Sequence, residues 1–382
     1  MPMDDVVIVG GGPAGALAAV ILARAGARVR VFERARFPRH KLCGDTLNPG
    51  ALAVLARHLD AAPLVACGDA IDGMILTGPG GVRVRGRYGR GLAGRAVTRE
   101  VFDDWLLSQA ARAGAQVEDG VRVRGATTIV ERGVERVAGV SVQGAQMPVS
   151  HPSRMVIAAD GRRSCLAFGR GHARQPARPR RWAIGAYFTG VHGGTTAGEM
   201  HVREGHYIGV APLPGGLTNA CLVVPHVPGD EALKAPSGLL DRYLRADPEL
   251  AGRFAEARPE GPAVMLGPMA VDSTSAGEAG LLLAGDAAGF IDPMTGDGLR
   301  LALTGAELAA ETTIEVLAGR LAPERAHVVL AERRRAAFQS KWRFNRTLRF
   351  LVASPRGVGA AAVAARALPS MFERVIRYAG DC

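Results

Sequence analysis

Between residues 41 and 50 the chain reads KLCGDTLNPG, which places a cation (Lys41), a thiol (Cys43) and a carboxylate (Asp45) within five positions. Such a thiol can serve as nucleophile, metal ligand, half of a redox pair or proton donor. The five cysteines, at 43, 67, 165, 221 and 382, form neither a CxxC pair nor a dense framework, which argues against zinc and against disulfides. No metal is expected. Two readings of Cys43 stay open: a thiol that meets a ligand, with Asp45 beside it for acid-base work, or a small residue that fits tightly against one.

A second chemistry is written at the start of the chain. VVIVGGGPAGALAAVILARAGARVRVFER reads as an apolar strand, a glycine turn, an alanine-rich helix and a second strand that ends in an acid. Gly10, Gly12 and Gly15 form GxGxxG. The first permits the tight turn, the second lets a diphosphate approach the backbone, and the third lets helix and strand pack closely. Pro13 and Ala14 open the helix, whose free amides suit a diphosphate, and they join the glycines as cofactor-binding candidates. Glu33 falls 18 residues after Gly15 and is placed to accept hydrogen bonds from ribose hydroxyls, with Arg34 following it. The unit predicts an adenine dinucleotide without saying which one.

Two later segments, RMVIAADGRRSCLA (154–167) and GLLLAGDAAGFIDPMTGDGLRLAL (280–303), each run from an apolar strand into a polar turn. Together with GxGxxG they resemble the DG and GD motifs of the flavoprotein hydroxylase superfamily, whose fold is that of para-hydroxybenzoate hydroxylase. The resemblance implies FAD, with Asp286 on the ribityl chain, Gly285 beside it, and Asp160 and Gly161 near the cofactor. It also implies that the helix starting near Leu299, after Gly296 and Gly298, aims its positive end at the flavin, where reduced flavin carries charge. Pro293 in the preceding loop is a substrate-facing candidate. Arg99, just before an amphipathic helix, resembles an FAD-contacting arginine. The loop itself, FPR followed by K-x-CG-D-x-L-x-P, resembles the geranylgeranyl reductase family, which implies that Cys43 and Gly44 lie beside the flavin. There is one departure. A YxWxFP-like motif common in those reductases is here YIGVAP (207–212), with Gly209 and Ala211 in place of aromatics.

The elements that must position these groups fit an α/β protein: a Rossmann-like FAD-binding domain (GR2 type), an inserted antiparallel β-sheet substrate domain and a helical C-terminal region. The expected boundaries are 1–75, 95–172 and 276–330 for the FAD domain, 76–94 and 173–275 for the β-rich substrate domain, and 331–382 for the C-terminal region. With 382 residues, 48% of them hydrophobic, the chain can bury cores of this size. Strand-like runs over 180–191, 198–213 and 215–225 predict a sheet that roofs the flavin, with Trp182, Tyr187, His206 and Tyr207 as candidate substrate contacts. Nucleic acid is not an expected partner, because aromatics make up only 5% and none is interleaved with a basic groove motif, despite a net charge of +11. No apolar run reaches bilayer length and no signal peptide is visible, so the expected location is the cytoplasm. Residues 332–349 carry seven basic side chains and one acid; the segment either rests on anionic lipid or packs on the FAD domain with a solvated arginine face.

The expected activity is hydride transfer between flavin and a carbon–carbon bond of a bulky, largely apolar substrate, either an isoprenoid or a polyketide-like secondary metabolite. NAD(P)H is the expected reductant. Since no second dinucleotide fingerprint is present, it would visit through a site without a sequence signature. The alternatives are an NAD(P)H-dependent monooxygenase that hydroxylates an aromatic ring, and a prenyl-lipid escort protein that does not use flavin. The intact GxGxxG, Glu33 and Asp286 count against the escort.

Overall fold

Continuous apolar runs, rather than alternating ones, mark the strands of the first sheet, because both of its faces are buried. In the computed structural model Asp4–Val9 pairs in parallel with Val29–Glu33 on one side and with Val149–Ala158 on the other. The model describes residues 3–380 apart from 42, 90, 132, 145–146, 178–180, 226–230, 291–295, 353–356, 358, 360–362, 365–366 and 368. Leu281–Leu283 and Gln116–Asp119 extend the sheet in parallel on its two sides, and Gly277–Glu278 adds an antiparallel edge next to Leu281–Leu283. Val6, Ile8, Val31, Met155 and Ile157 point into one core. That core is covered by the helices Pro13–Arg24, Arg99–Arg112 and Gly298–Leu317, joined by residues of Pro49–His58 and Pro323–Val352. Val7, Val9, Phe32, Val156 and Ala158 point the other way, beneath the hairpin of Val123–Glu131 and Val134–Val142. This is the architecture expected of a Rossmann-like domain. Its crevice lies at the C-terminal ends of the central strands, where the chain reverses its winding direction.

The second sheet has the order 258–259, 181–189, 217–225, 206–213, 197–203, 73–78 and 82–87, with 264–266 also pairing to 181–189. One pairing departs from the antiparallel expectation: Ala197–Arg203 runs parallel to Gly73–Gly78. The physical reason is connectivity, since 73–87 enters the sheet from a segment more than a hundred residues earlier and is not bound by a hairpin turn. The helix Pro236–Ala246 seals one face by burying Leu239, Leu240 and Leu244 on Ile184, Ala186, Ile208 and Leu222. The opposite face carries Ala183, Met200, Val202, Tyr207 and Val223, with Phe290 of the first domain packed against them.

In the C-terminal region the helix Pro323–Val352 lies along Gly298–Leu317 and buries Ala326, Leu330 and Phe338. The arginine row is not wholly solvated. Arg333 pairs with Glu315 at 2.7 Å, while Arg334 is buried and donates to the carbonyl of Ala288 at 2.8 Å. A final helix, Pro369–Gly380, lies against the strand Val82–Arg87 and so ties this region to the second sheet.

Candidate active site

The first turn leaves no room for side chains at two of its glycines. Gly10 has φ +102°, and a Cβ there would lie 2.4 Å from the Ala159 carbonyl oxygen; a Cβ on Gly15 would lie 1.8 Å from the Gly10 oxygen. The helix Pro13–Arg24 starts after Gly12 without a side-chain cap, so its first amides face outward. Ala14 sits beneath the second motif, against Gly285. At the end of the neighbouring strand the Glu33 carboxylate accepts from the amides of Gly11 (2.8 Å) and Ala35 (2.9 Å). These bonds fix its orientation and leave lone pairs for ribose hydroxyls. Arg34 is exposed beside it.

Three other segments close on the same crevice. Asp160 accepts from the amide of Cys165 at 2.8 Å with one oxygen, while its other oxygen is buried without a partner among the described residues, and burial raises its pKa. Gly161 follows it with φ +81°. Asp286 carries the charge that opposes two perturbed cations. Burial lowers the pKa of both Lys41 and Arg162, and Asp286 pulls each back toward its charged form. The helix Gly298–Leu317 begins after Gly296 and the buried Asp297, with Leu299 buried in its first turn; Asp297 accepts from Asn48 (3.1 Å) and Lys341 (3.4 Å). Pro293 lies outside the described residues. A glycine cradle, a ribose-directed carboxylate, an orphan buried Asp160 oxygen and an acid among cations together fit FAD.

The loop that holds Cys43 is tied to both sheets. Asp45 is the one described non-glycine residue with positive φ (+47°), and it is 1% exposed. Its Oδ1 accepts from the backbone amide of Arg99 at 3.0 Å. Its Oδ2 accepts from the Tyr187 hydroxyl at 2.8 Å and from the Asn219 side-chain amide, which also donates to the Cys43 carbonyl. Burial pushes the Asp45 carboxyl up to about 6, against the pull of these donors. Burial, reinforced by Asp45, also raises the pKa of the Tyr187 phenol. Arg99 is the first residue of its helix rather than the residue before it. Its guanidinium grips Asp103 through two bonds of 2.7 Å. Gly44 is exposed in the same loop.

The substrate candidates divide by strand parity. Tyr187 and Tyr207 sit on the sheet face turned toward Asp45 and the crevice. Trp182 and His206 lie on the opposite face, where Trp182 pairs across the sheet with Val224 and the His206 ring meets Tyr243 at 4.6 Å. Successive residues of a strand point to opposite faces, so 206 and 207, or 182 and 187, cannot line one chamber. Sequence reasoning missed Asn219, Met200 and Cys221 on the inner face; alternation counted from Tyr187 and Tyr207 through the hairpins was the available signal. Burial pushes the Cys221 thiol up to about 12, with the charges of Cys43 and Asp45 adding to it. Gly209 also belongs to this face. The nearest neighbours of a Cβ there would be Met200 at 3.8 Å and backbone oxygens of its own sheet at 3.9 and 4.0 Å.

Comparison with known proteins agrees with this geometry. Residues 3–183 match a family model described as an FAD binding domain. The chain is 31% identical over 328 residues to digeranylgeranylglycerophospholipid reductase 1 of Methanopyrus kandleri, covering 82% of this chain and 81% of the relative. It is 32% identical over 323 residues to a menaquinone reductase of Mycolicibacterium smegmatis, covering 80% and 75%. Among solved structures, the flavin-dependent brominase Bmp2 superposes with a TM-score of 0.85 at 21% identity, covering 100% of this chain and 94% of that one. At that identity the likeness shows the fold alone.

Proposed function

Because the chain belongs to the geranylgeranyl reductase family of FAD-dependent oxidoreductases, we propose that it reduces a carbon–carbon double bond of a bulky, largely apolar isoprenoid or prenylated substrate. The enzyme class and its FAD are shared with that family; the substrate and the direction of transfer are the proposal. The observation that carries it is the inner sheet face: Ala183, Met200, Tyr207, Val223 and Met269 form an apolar cluster, and Tyr187 and Asn219 of the same sheet donate to the buried carboxylate of Asp45. An apolar wall beside a proton-holding group suits saturation of an alkene. The names of the two relatives, a prenyl-lipid reductase and a menaquinone reductase, point to the same substrate class.

Bound FAD supplies the hydride. Reduction then requires one proton at the second carbon, and this chain offers Cys43 and Asp45 to deliver it. With its carboxyl pushed up to about 6, Asp45 would keep a proton in about a tenth of molecules at pH 7. Lys41 and Arg162, each favoured in its charged form by Asp286, would offer positive charge to bound FAD in its reduced state. NAD(P)H is the proposed source of electrons. We place the enzyme in the cytoplasm, with the basic C-terminal helices meeting an anionic bilayer when the substrate is a lipid; among the described residues no helix is long and apolar enough to cross a membrane. The test is turnover under nitrogen with chemically reduced holoenzyme, offering a geranylgeranyl lipid and a prenylated naphthoquinone. A saturated product without oxygen supports the reading. Product only in oxygen transfers the site to hydroxylation.

A further inference from the structure

Asp45 is the point at which the flavin-side loop and the substrate roof are joined. Its carboxylate collects a backbone amide from the helix Arg99–Arg112 and side-chain donors from two adjacent roof strands, at Tyr187 and Asn219. The two strand positions face each other directly in the sheet register, so both donors arrive from one rigid platform. Asn219 does a second task. The same amide group that reaches Asp45 donates to the carbonyl of Cys43 and sets the loop two residues upstream. Asp45 in turn holds left-handed backbone at a residue with a side chain, a strain that persists only where the surroundings over-determine it. The loop is therefore not free to settle alone: its conformation is imposed by the roof.

We propose that Tyr187 and Asn219 are positioning residues, which hold the Asp45 carboxylate and through it the Cys43 loop against the chamber, so that roof and loop act as one proton-handling unit. The groups facing Asp45 are Arg99 from its helix, Tyr187 from strand Arg181–Thr189, Asn219 and Cys221 from strand Leu217–Pro225, and Cys43 from its own loop. Tyr187 and Asn219 both donate to the carboxylate and favour its ionised form, so removing either makes Asp45 easier to protonate. The inference rests on the reading of Cys43 and Asp45 as proton carriers. Its readouts are nevertheless taken without substrate, so a failed substrate assay leaves it standing.

The experiment measures alkylation of Cys43 by iodoacetamide in the holoprotein from pH 5 to 9, followed by mass analysis of the Cys43 peptide so that the other four cysteines do not contribute. The visible band of bound flavin is recorded over the same range as a second probe and as proof of folding. Wild type is expected to show an inflection near pH 6 in at least one probe. Tyr187→Phe, which keeps the ring, and Asn219→Ala each move it up by about one pH unit, the shift expected for loss of one hydrogen bond to a charged group. Asp45→Asn abolishes it. The proposal is overturned by an inflection that stays in place in both roof variants, by one that survives Asp45→Asn, or by its absence from both probes in wild type.

Discussion

Replacing Asp45 by asparagine removes a buried carboxyl that burial has pushed up to about 6 from 3.8. A displacement of roughly two pH units corresponds to about 3 kcal/mol of differential interaction. The sign follows from linkage. A group whose pKa is raised in the folded state stabilises the fold fully below its unfolded pKa and loses that contribution as pH rises through its folded pKa. Wild type should therefore lose about 3 kcal/mol relative to Asp45→Asn as pH rises from 3.8 to just above 6, and the gap should stay constant beyond that. For a chain of 382 residues this amounts to about 4 °C in melting temperature. Thermal unfolding of both holoproteins at half-unit pH steps measures the gap. Other groups, such as Glu199, whose pKa is lowered to about 2, titrate in both proteins and cancel. A gap that does not change between pH 4 and 7 would refute the argument, because it would mean that Asp45 titrates alike in folded and unfolded chains.

Three further outcomes follow from the geometry. Gly15→Ala places a methyl 1.8 Å from the Gly10 oxygen and is expected to yield protein purified without flavin colour, read from its visible spectrum. Arg334→Leu leaves the carbonyls of Leu283 and Ala288 without their donor beneath the Asp286 turn; a loss of about 1–3 kcal/mol in denaturant unfolding, together with weaker FAD retention, is expected. Gly209→Phe adds a ring to the inner sheet face, where a Cβ has Met200 at 3.8 Å as its nearest neighbour, so on the proposed function KM for the substrate should rise at least about tenfold with FAD content unchanged. His206→Ala, on the far face, is the control and should leave KM within about twofold.

Much of the cofactor half was determined by local sequence. GxGxxG and the acid that ends the second strand lie in one continuous stretch whose chemistry depends on neighbours a few residues away, so spacing pointed to Gly10, Gly15 and Glu33, while Asp160 and Asp286 were singled out by resemblance to the DG and GD motifs. The same is true of the apolar runs that build the doubly covered sheet. The substrate half was decided by tertiary structure. Whether Tyr187 or Trp182 faces the chamber depends on strand register, and a shift of one residue exchanges the two faces. That Ala197–Arg203 lies parallel to Gly73–Gly78 could not be read from either segment, since pairing between distant strands leaves no local mark. Asp45 shows the division most plainly: sequence identified a carboxylate beside a thiol, but its burial and its three donors from residues 99, 187 and 219 exist only once two sheets and a helix close around it.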